Sequence, residues 1–213
     1  RTISHYKVLA KLGEGGMGVV YKAEDTRLRR TVALKFLRGH LFENEEHRDR
    51  FVREAQAAAA LDHPNICTVY EIDEADDLIF ISMAYVEGEN LKHRIRSGPL
   101  DIDTAVKTGI RVAQGLRAAH ERGVIHRDVK SANVLVDRDG NFFLTDFGIA
   151  FIGSASDDEL ATSLSTGSPA YASPEQLRRQ ELDARTDIYG FGITLFEAAT
   201  GRLPFVDAPT RTA

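Results

Sequence analysis

Apolar and polar residues alternate with a period near two along the first third of the chain. Tyr6-Lys7-Val8-Leu9-Ala10-Lys11-Leu12 follows it roughly, and Val19-Val20-Tyr21-Lys22-Ala23-Glu24 and Thr31-Val32-Ala33-Leu34-Lys35-Phe36-Leu37 come after it as further strand-like runs. That period predicts strands, the first pair interrupted by Gly13 to Gly18. A helix is expected over 43–61. Glu43, Glu45 and Glu46 crowd its first turn, where carboxylates favour the helix dipole, and His63-Pro64 closes it. Two further strands are expected over 67–72 and 78–83.

From Gly88 onward the period lengthens. Ile102, Val106, Ile110, Ala113, Leu116 and Ala119 recur near every 3.6 residues and Gly123 ends the run, which predicts a helix over 102–122. Residues 134–136 and 142–144 predict a short hairpin turned by Asp137 to Asn141. Further helices are expected over 174–180 and 188–200. Residues 149–168, rich in Ser, Thr, Ala, Gly and acid, carry little periodicity and read as a loop. The pattern implies an α+β, two-lobed fold over 6–205. An antiparallel sheet with one helix occupies 6–83, a connector 84–88, and a mainly helical lobe 89–213.

Composition narrows the class without naming it. Of 213 residues, 43% are hydrophobic and 28% charged, which is ordinary for a globular protein. A net charge of −5 gives no support to nucleic-acid or membrane-surface binding. The single cysteine, Cys67, excludes an internal disulfide framework and fits a reducing, cytoplasmic setting; its apolar neighbours predict a buried strand position. No run of 18 apolar residues exists to span a bilayer. The chain opens on Arg1 without methionine, so it is expected to be an excerpt of a protein able to carry a membrane anchor elsewhere.

The densest chemistry lies in His126-Arg127-Asp128-Val129-Lys130-Ser131-Ala132-Asn133, followed by Asp146-Phe147-Gly148. Phosphoryl transfer needs a carboxylate to orient the acceptor hydroxyl, cations to neutralise developing charge, and a divalent metal to clamp the phosphates. Asn133 and Asp146 offer hard oxygens suited to Mg²⁺, which completes its shell with water and nucleotide phosphates. Gly13-Glu14-Gly15-Gly16-Met17-Gly18-Val19-Val20 is a GxGxxGxV turn whose exposed N–H groups suit phosphates. It leads into a β-branched strand and not a helix, which disfavours a dinucleotide fold. Lys35 stands alone in an apolar strand, and its desolvated ammonium needs a partner; Glu54 is the best candidate.

Together these motifs resemble the eukaryotic-type protein kinase family, bacterial serine/threonine members in particular, over nearly the whole chain. The resemblance implies ATP with Mg²⁺ (Mn²⁺ able to substitute), protein substrates with Ser or Thr acceptors, and a kinase–kinase dimer for autophosphorylation. Asp128 would accept or orient the hydroxyl proton, and Lys130 would neutralise the γ-phosphoryl group. Lys35 would hold the α- and β-phosphates, oriented by Glu54. Leu12, Val20, Ala33 and Leu135 look like adenine walls, Met83 like the back-pocket guard, and the Ala84 and Val86 backbones like the adenine hydrogen-bonders. Asn90 falls where a ribose contact is often made, or is a solvated loop residue. His126 reads as a packed structural histidine; the remaining histidines read as surface or core.

Arg127 awaits an anion, and phosphorylation of Thr162, Ser163 or Ser165 is expected to supply it. Ser168, where Thr is more usual, would bridge Asp128 and Lys130 in substrate docking. Asp187 would anchor the catalytic loop through backbone N–H groups. Glu175 is expected to be a buried charge whose customary arginine lies beyond Ala213, and helix 188–200 to lack its cover, leaving this excerpt poorly soluble or inactive alone. The alternatives are a nucleotide-binding pseudokinase scaffold and a small-molecule phosphotransferase.

Overall fold

In the computed structural model, residues 1–15, 18–37, 45–75, 78–147 and 169–205 are described, with the backbone only at 45–48, 50 and 51. The first lobe contains β1 (Thr2–Ile3), β2 (Tyr6–Gly15), β3 (Gly18–Asp25), β4 (Arg30–Leu37), α1 (Glu45–Ala59), β5 (Val69–Ala75) and β6 (Leu78–Ala84). Its strands form one antiparallel sheet in the order β1-β2-β3-β4-β6-β5.

Strand β4 is buried from Val32 to Leu37, which explains an apolar run interrupted by Lys35 alone. Alternation sends Val32, Leu34 and Phe36 into a cluster with Tyr6 and Phe80. Ala33 and Leu37 join Ala55, Ile81 and Met83 in another cluster, and Lys35 falls between them in the same register. Gly18, at φ 147°, permits the close β3–β4 crossing: a Cβ there would lie 1.8 Å from the Phe36 carbonyl oxygen.

The second lobe holds β7 (Gly88–Asn90), α2 (Leu91–Ile95), α3 (Ile102–His120), β8 (Val134–Asp137), β9 (Phe142–Leu144), α4 (Pro174–Leu177) and α5 (Ala184–Thr200). Strands β7, β8 and β9 form a three-stranded antiparallel sheet. Leu91, Val112, Leu116, Val134 and Leu144 centre the core of this lobe.

The lobes meet at more than the 84–88 connector. Cys67 N donates to Leu144 O at 2.7 Å, Leu144 N to Asn65 O at 2.8 Å, and Asn65 Nδ2 to Phe142 O at 3.0 Å. Leu61 and Ile66 belong to the second-lobe core. The segment between α1 and β5 is therefore fastened to β9, which is why β5 begins at Val69 and not at residue 67.

Other boundaries shift for local reasons. Helix α5 starts at Ala184, ahead of the expected residue 188, because Asp183 caps the Arg185 N–H at 2.8 Å. Helix α4 is shorter than expected and opens on a capping box between Ser173 and Gln176. Glu175 is corrected: it is only half-buried, and its carboxylate accepts from Thr186 Oγ1 at 2.9 Å, so no orphaned buried charge arises there. On α5, Ile193 and Ala198 are buried while Ile188 and Phe196 are exposed. No described helix is long and apolar enough to cross a membrane.

Cys67 is buried, and removal from water, with Asp146 adding to it, pushes its thiol up to about 12. A raised pKa keeps the thiol protonated until the pH climbs to that value, so the nucleophilic thiolate is scarce at pH 8. The folded chain should resist alkylation at pH 8 and react fully in denaturant. Equal rates in both states, followed by mass spectrometry, would contradict this placement.

Candidate active site

The segment 126–133 follows α3 and rests on α5. Asp187, in the first turn of α5, is almost fully buried. Its Oδ2 accepts from His126 N at 2.8 Å and from the His120 ring at 2.7 Å; its Oδ1 accepts from Arg127 N at 2.7 Å. The anchoring expected of Asp187 is present, and His120, read only as a surface or core residue, is part of it. Gly190 lets α5 pass beneath, since a Cβ would lie 2.8 Å from Val129 O. Held this way, Arg127 adopts φ 64°, an unusual conformation for a non-glycine residue. Gln176 Nε2 donates to its carbonyl at 2.7 Å. Gln176 was visible in the sequence only through the Ser-x-x-Gln capping pattern.

His126 is completely buried, bonded through Nε2 to Thr145 O at 2.9 Å and packed on Phe147 with ring centroids 4.5 Å apart. It is a structural residue in this geometry. Asp128 receives two donors on Oδ2, Lys130 Nζ at 2.7 Å and Asn133 Nδ2 at 2.9 Å. The Asn133 amide also bonds Asp128 O at 2.9 Å. No described donor engages Asp128 Oδ1, which leaves that oxygen for a hydroxyl. The Asn133 Nδ2 group is taken by Asp128, leaving its amide oxygen for a cation.

Asn133 O accepts from Thr145 N at 3.0 Å, which sets Asn133 beside the residue preceding Asp146. Asp146 also has a left-handed backbone, φ 66°. Its Oδ1 lies 2.7 Å from Lys35 Nζ. Removal from water would raise this carboxyl, but the Lys35 ammonium, with His126 and Lys130 nearby, holds it below the usual carboxylate range. An ionised carboxylate beside an amide oxygen is the donor chemistry Mg²⁺ prefers, so the residues fit the metal.

The pairing expected for Lys35 is different in the structure. Lys35 meets Asp146, while Glu54 Oε2 lies 2.7 Å from Arg127 Nη1, across the lobes. The expected Lys35–Glu54 pair is thus replaced by Lys35–Asp146, while the phosphate expected on Arg127 falls on residues outside the described ones.

Lys35 and Asp146 border one cleft of about 410 Å³ between the lobes, a volume suited to a nucleotide-sized ligand, and the catalytic loop reaches it at Ala132. Leu12, Gly13, Val20, Ala33, Lys35, Met83, Ala84, Val86, Leu135 and Asp146 line it. Glu14, Gly15 and Gly18 flank it on β2 and β3, with Glu14 paired to Lys11 at 2.6 Å. Tyr85, His93, Ala132 and Thr145 also line it and were not anticipated. The Ala84 N–H is taken by Thr68 O at 2.9 Å, so Ala84 offers its carbonyl, approached by the Cys67 thiol at 3.4 Å. Asn90 caps α2, its side chain accepting from His93 N at 2.8 Å. Gly16, Met17, Thr162, Ser163, Ser165 and Ser168 lie outside the described residues.

A two-lobed fold whose cleft holds a strand lysine and its paired aspartate, beside an Asp–Lys–Asn loop, has the features of the protein kinase class. The protein kinase domain family matches residues 6–212, and the chain belongs to that family. It is 44% identical over 206 residues to serine/threonine-protein kinase PrkC of Bacillus subtilis, covering 96% of this chain and 32% of that protein. It is 41% identical over 208 residues to PknB of Mycobacterium leprae, covering 95% and 33%. The chain thus spans about a third of the length of these curated relatives. The Mycobacterium tuberculosis PknI kinase domain superposes with TM-score 0.80 at 32% identity, covering 96% of this chain and 77% of that one. Protein kinases use ATP and a divalent metal.

Asp187→Ala should strand the N–H groups of His126 and Arg127, at about 1–3 kcal/mol for each buried donor left unpaired. Urea denaturation should show the loss. An unchanged midpoint would mean the catalytic loop does not depend on this anchor.

Proposed function

We propose that this chain transfers the γ-phosphoryl group of ATP to serine or threonine hydroxyls of proteins. The reading rests on one observation above others: Asp146 is fixed by Lys35 in the interlobe cleft, while Asp128 is fixed by Lys130 and Asn133 in the loop whose Ala132 lines that cleft. Asp128 Oδ1 would take up the acceptor's proton as its oxygen attacks. Lys130, already on Asp128, would turn its charge to the transferred group. Asn133 and Asp146 would hold Mg²⁺, which when bound neutralises phosphate charge and orients the leaving group. Lys35 would meet the α- and β-phosphates, and Val86 and the Ala84 carbonyl the adenine edge.

Regulation follows from the exchanged partners. Glu54 fills Arg127, the cation that a phosphorylated loop would otherwise engage. Phosphate on Thr162, Ser163 or Ser165, added by a second copy in a transient dimer, would displace Glu54 from Arg127 and free it for Lys35. Requirement for ATP and the single buried thiol favour a cytoplasmic setting.

Asp128→Asn should lower phosphorylation of a basic histone fraction by roughly 10²–10⁴-fold while ATP binding persists. A wild-type chain that binds ATP yet transfers nothing would favour the scaffold reading and sink this one. After incubation with ATP, mass spectrometry should find phosphate between residues 154 and 168 in wild type and not in Asp128→Asn. Its absence from wild type would refute autoactivation.

A further inference from the structure

The connector behind the nucleotide cleft runs with little packed support. Strand β6 ends at Ala84 and β7 begins at Gly88, so residues 85–87 cross between the lobes outside either sheet. Ala84, Tyr85 and Val86 line the cleft on one side. On the other they line a second cavity of about 440 Å³, which reaches back to Cys67 and Phe143. A segment running between two cavities is positioned by what its own side chains can hold.

Among the described residues, two of those side chains reach other elements, and they reach opposite lobes. Lys22 Nζ, on β3, stands 4.4 Å from the centroid of the Tyr85 ring. That is inside the range at which the face of an aromatic ring attracts a cation. Glu87 Oε1 lies 3.1 Å from Arg138 Nη2, in the turn between β8 and β9. Val86, whose backbone would meet the adenine edge, sits between these two contacts.

Strand register explains how Lys22 comes to the connector. Val20 lines the cleft, and Lys22, two residues on, shares its face of β3. Across the sheet Lys22 pairs with Ala33, and Ala33 with Met83, both of them cleft residues. The Tyr85 ring therefore reaches back across two strand spacings, roughly 10 Å, to meet the ammonium. Lys22 does not itself line the cleft. Its stem lies along the sheet while its charged head rests on the ring. Both residues are half-buried, whereas Glu87 and Arg138 are 57% and 74% exposed. An exposed ion pair is screened by water and holds little, so the Lys22 contact is the stronger of the two restraints.

We propose that Lys22 is a positioning residue for the nucleotide: by holding Tyr85 it fixes the connector so that the Val86 backbone faces adenine. The proposal rests on the kinase reading for the identity of the ligand. A connector released from Lys22 would have to be ordered each time a nucleotide binds, and that ordering lowers affinity. The effect belongs to the adenine end of the cleft and not to the phosphate end, where Lys35 and Asp146 lie.

The test measures Kd for Mg·ADP by isothermal titration calorimetry in wild type, Lys22→Met, Lys22→Arg, Tyr85→Leu and the Lys22→Met/Tyr85→Leu double variant. Lys22→Met keeps the stem and removes the charge. It should weaken Mg·ADP roughly threefold, the scale of one partly exposed cation–aromatic contact. Lys22→Arg should restore wild-type affinity. The double variant should be no weaker than Tyr85→Leu alone. Tripolyphosphate, which lacks adenine, should bind wild type and Lys22→Met equally. Without nucleotide, Lys22→Met should raise amide hydrogen exchange at residues 85–88. Additive losses in the double variant, or failure of Lys22→Arg to rescue, would overturn the proposal. So would an equal loss of tripolyphosphate affinity, which would reduce Lys22 to a distant positive charge, or unaltered exchange at 85–88. A wild-type chain that bound no Mg·ADP would defeat the kinase reading instead, and exchange would then decide whether Lys22 holds the connector.

Discussion

Lys35 is an ammonium carried into the middle of a sheet by an otherwise apolar strand, and it must be paired. Left alone there it would face a desolvation penalty larger than the contacts around it could offset. Its partner is Asp146 at 2.7 Å, a residue of the other lobe. One ion pair therefore joins sheet to helical lobe, fixes where Asp146 points, and keeps that carboxylate ionised and able to serve a metal. The left-handed backbone at Asp146 and the bond between Asn133 O and Thr145 N turn the neighbouring oxygens toward the same place.

The second cross-lobe pair, Glu54 with Arg127, is built on the same principle but with a different consequence. In the proposed switch each of the two cations would have two partners: Lys35 would take Asp146 or Glu54, and Arg127 would take Glu54 or an incoming phosphate. Both members of the Glu54–Arg127 pair are only partly buried, so exchanging partners costs far less than breaking a fully dry pair. Helix α1 ends in a run of small residues, Ala57 to Ala60, which suits an element that shifts against its neighbours. Helix α5, by contrast, is the fixed base. Asp187, Gly190 and Glu197 each meet a different part of the loops above it.

Much of this was legible in the chain. Periods of two and 3.6 located the strands and long helices, although on α3 the expected stripe is covered only at Val112, Leu116 and Ala119 while Ile102, Val106 and Ile110 are exposed. His126 to Asn133 and Asp146 to Gly148 identified the chemistry because hard oxygens, a lysine and a base at that spacing have few other uses. What was not legible depends on distance between lobes. Nothing local distinguishes Asp146 from Glu54 as the partner of Lys35, since both are carboxylates and only packing decides. His120 looked like any helix-end histidine until Asp187 lay against it. Glu175 looked like an orphan charge, but Thr186, eleven residues later, lies close enough to satisfy it. The start of β5 shifted because Cys67 bonds to β9, a contact without sequence signature.

The central claim is that Lys35 and Asp146 act as one unit about the nucleotide. A double-mutant cycle on Mg·ATP affinity, using Lys35→Met, Asp146→Asn and both together, measures it directly. The account predicts strong non-additivity: each single change weakens binding severely, and the double variant is little weaker than either. Independent, additive losses would contradict it, and so would a double variant that binds Mg·ATP as wild type does.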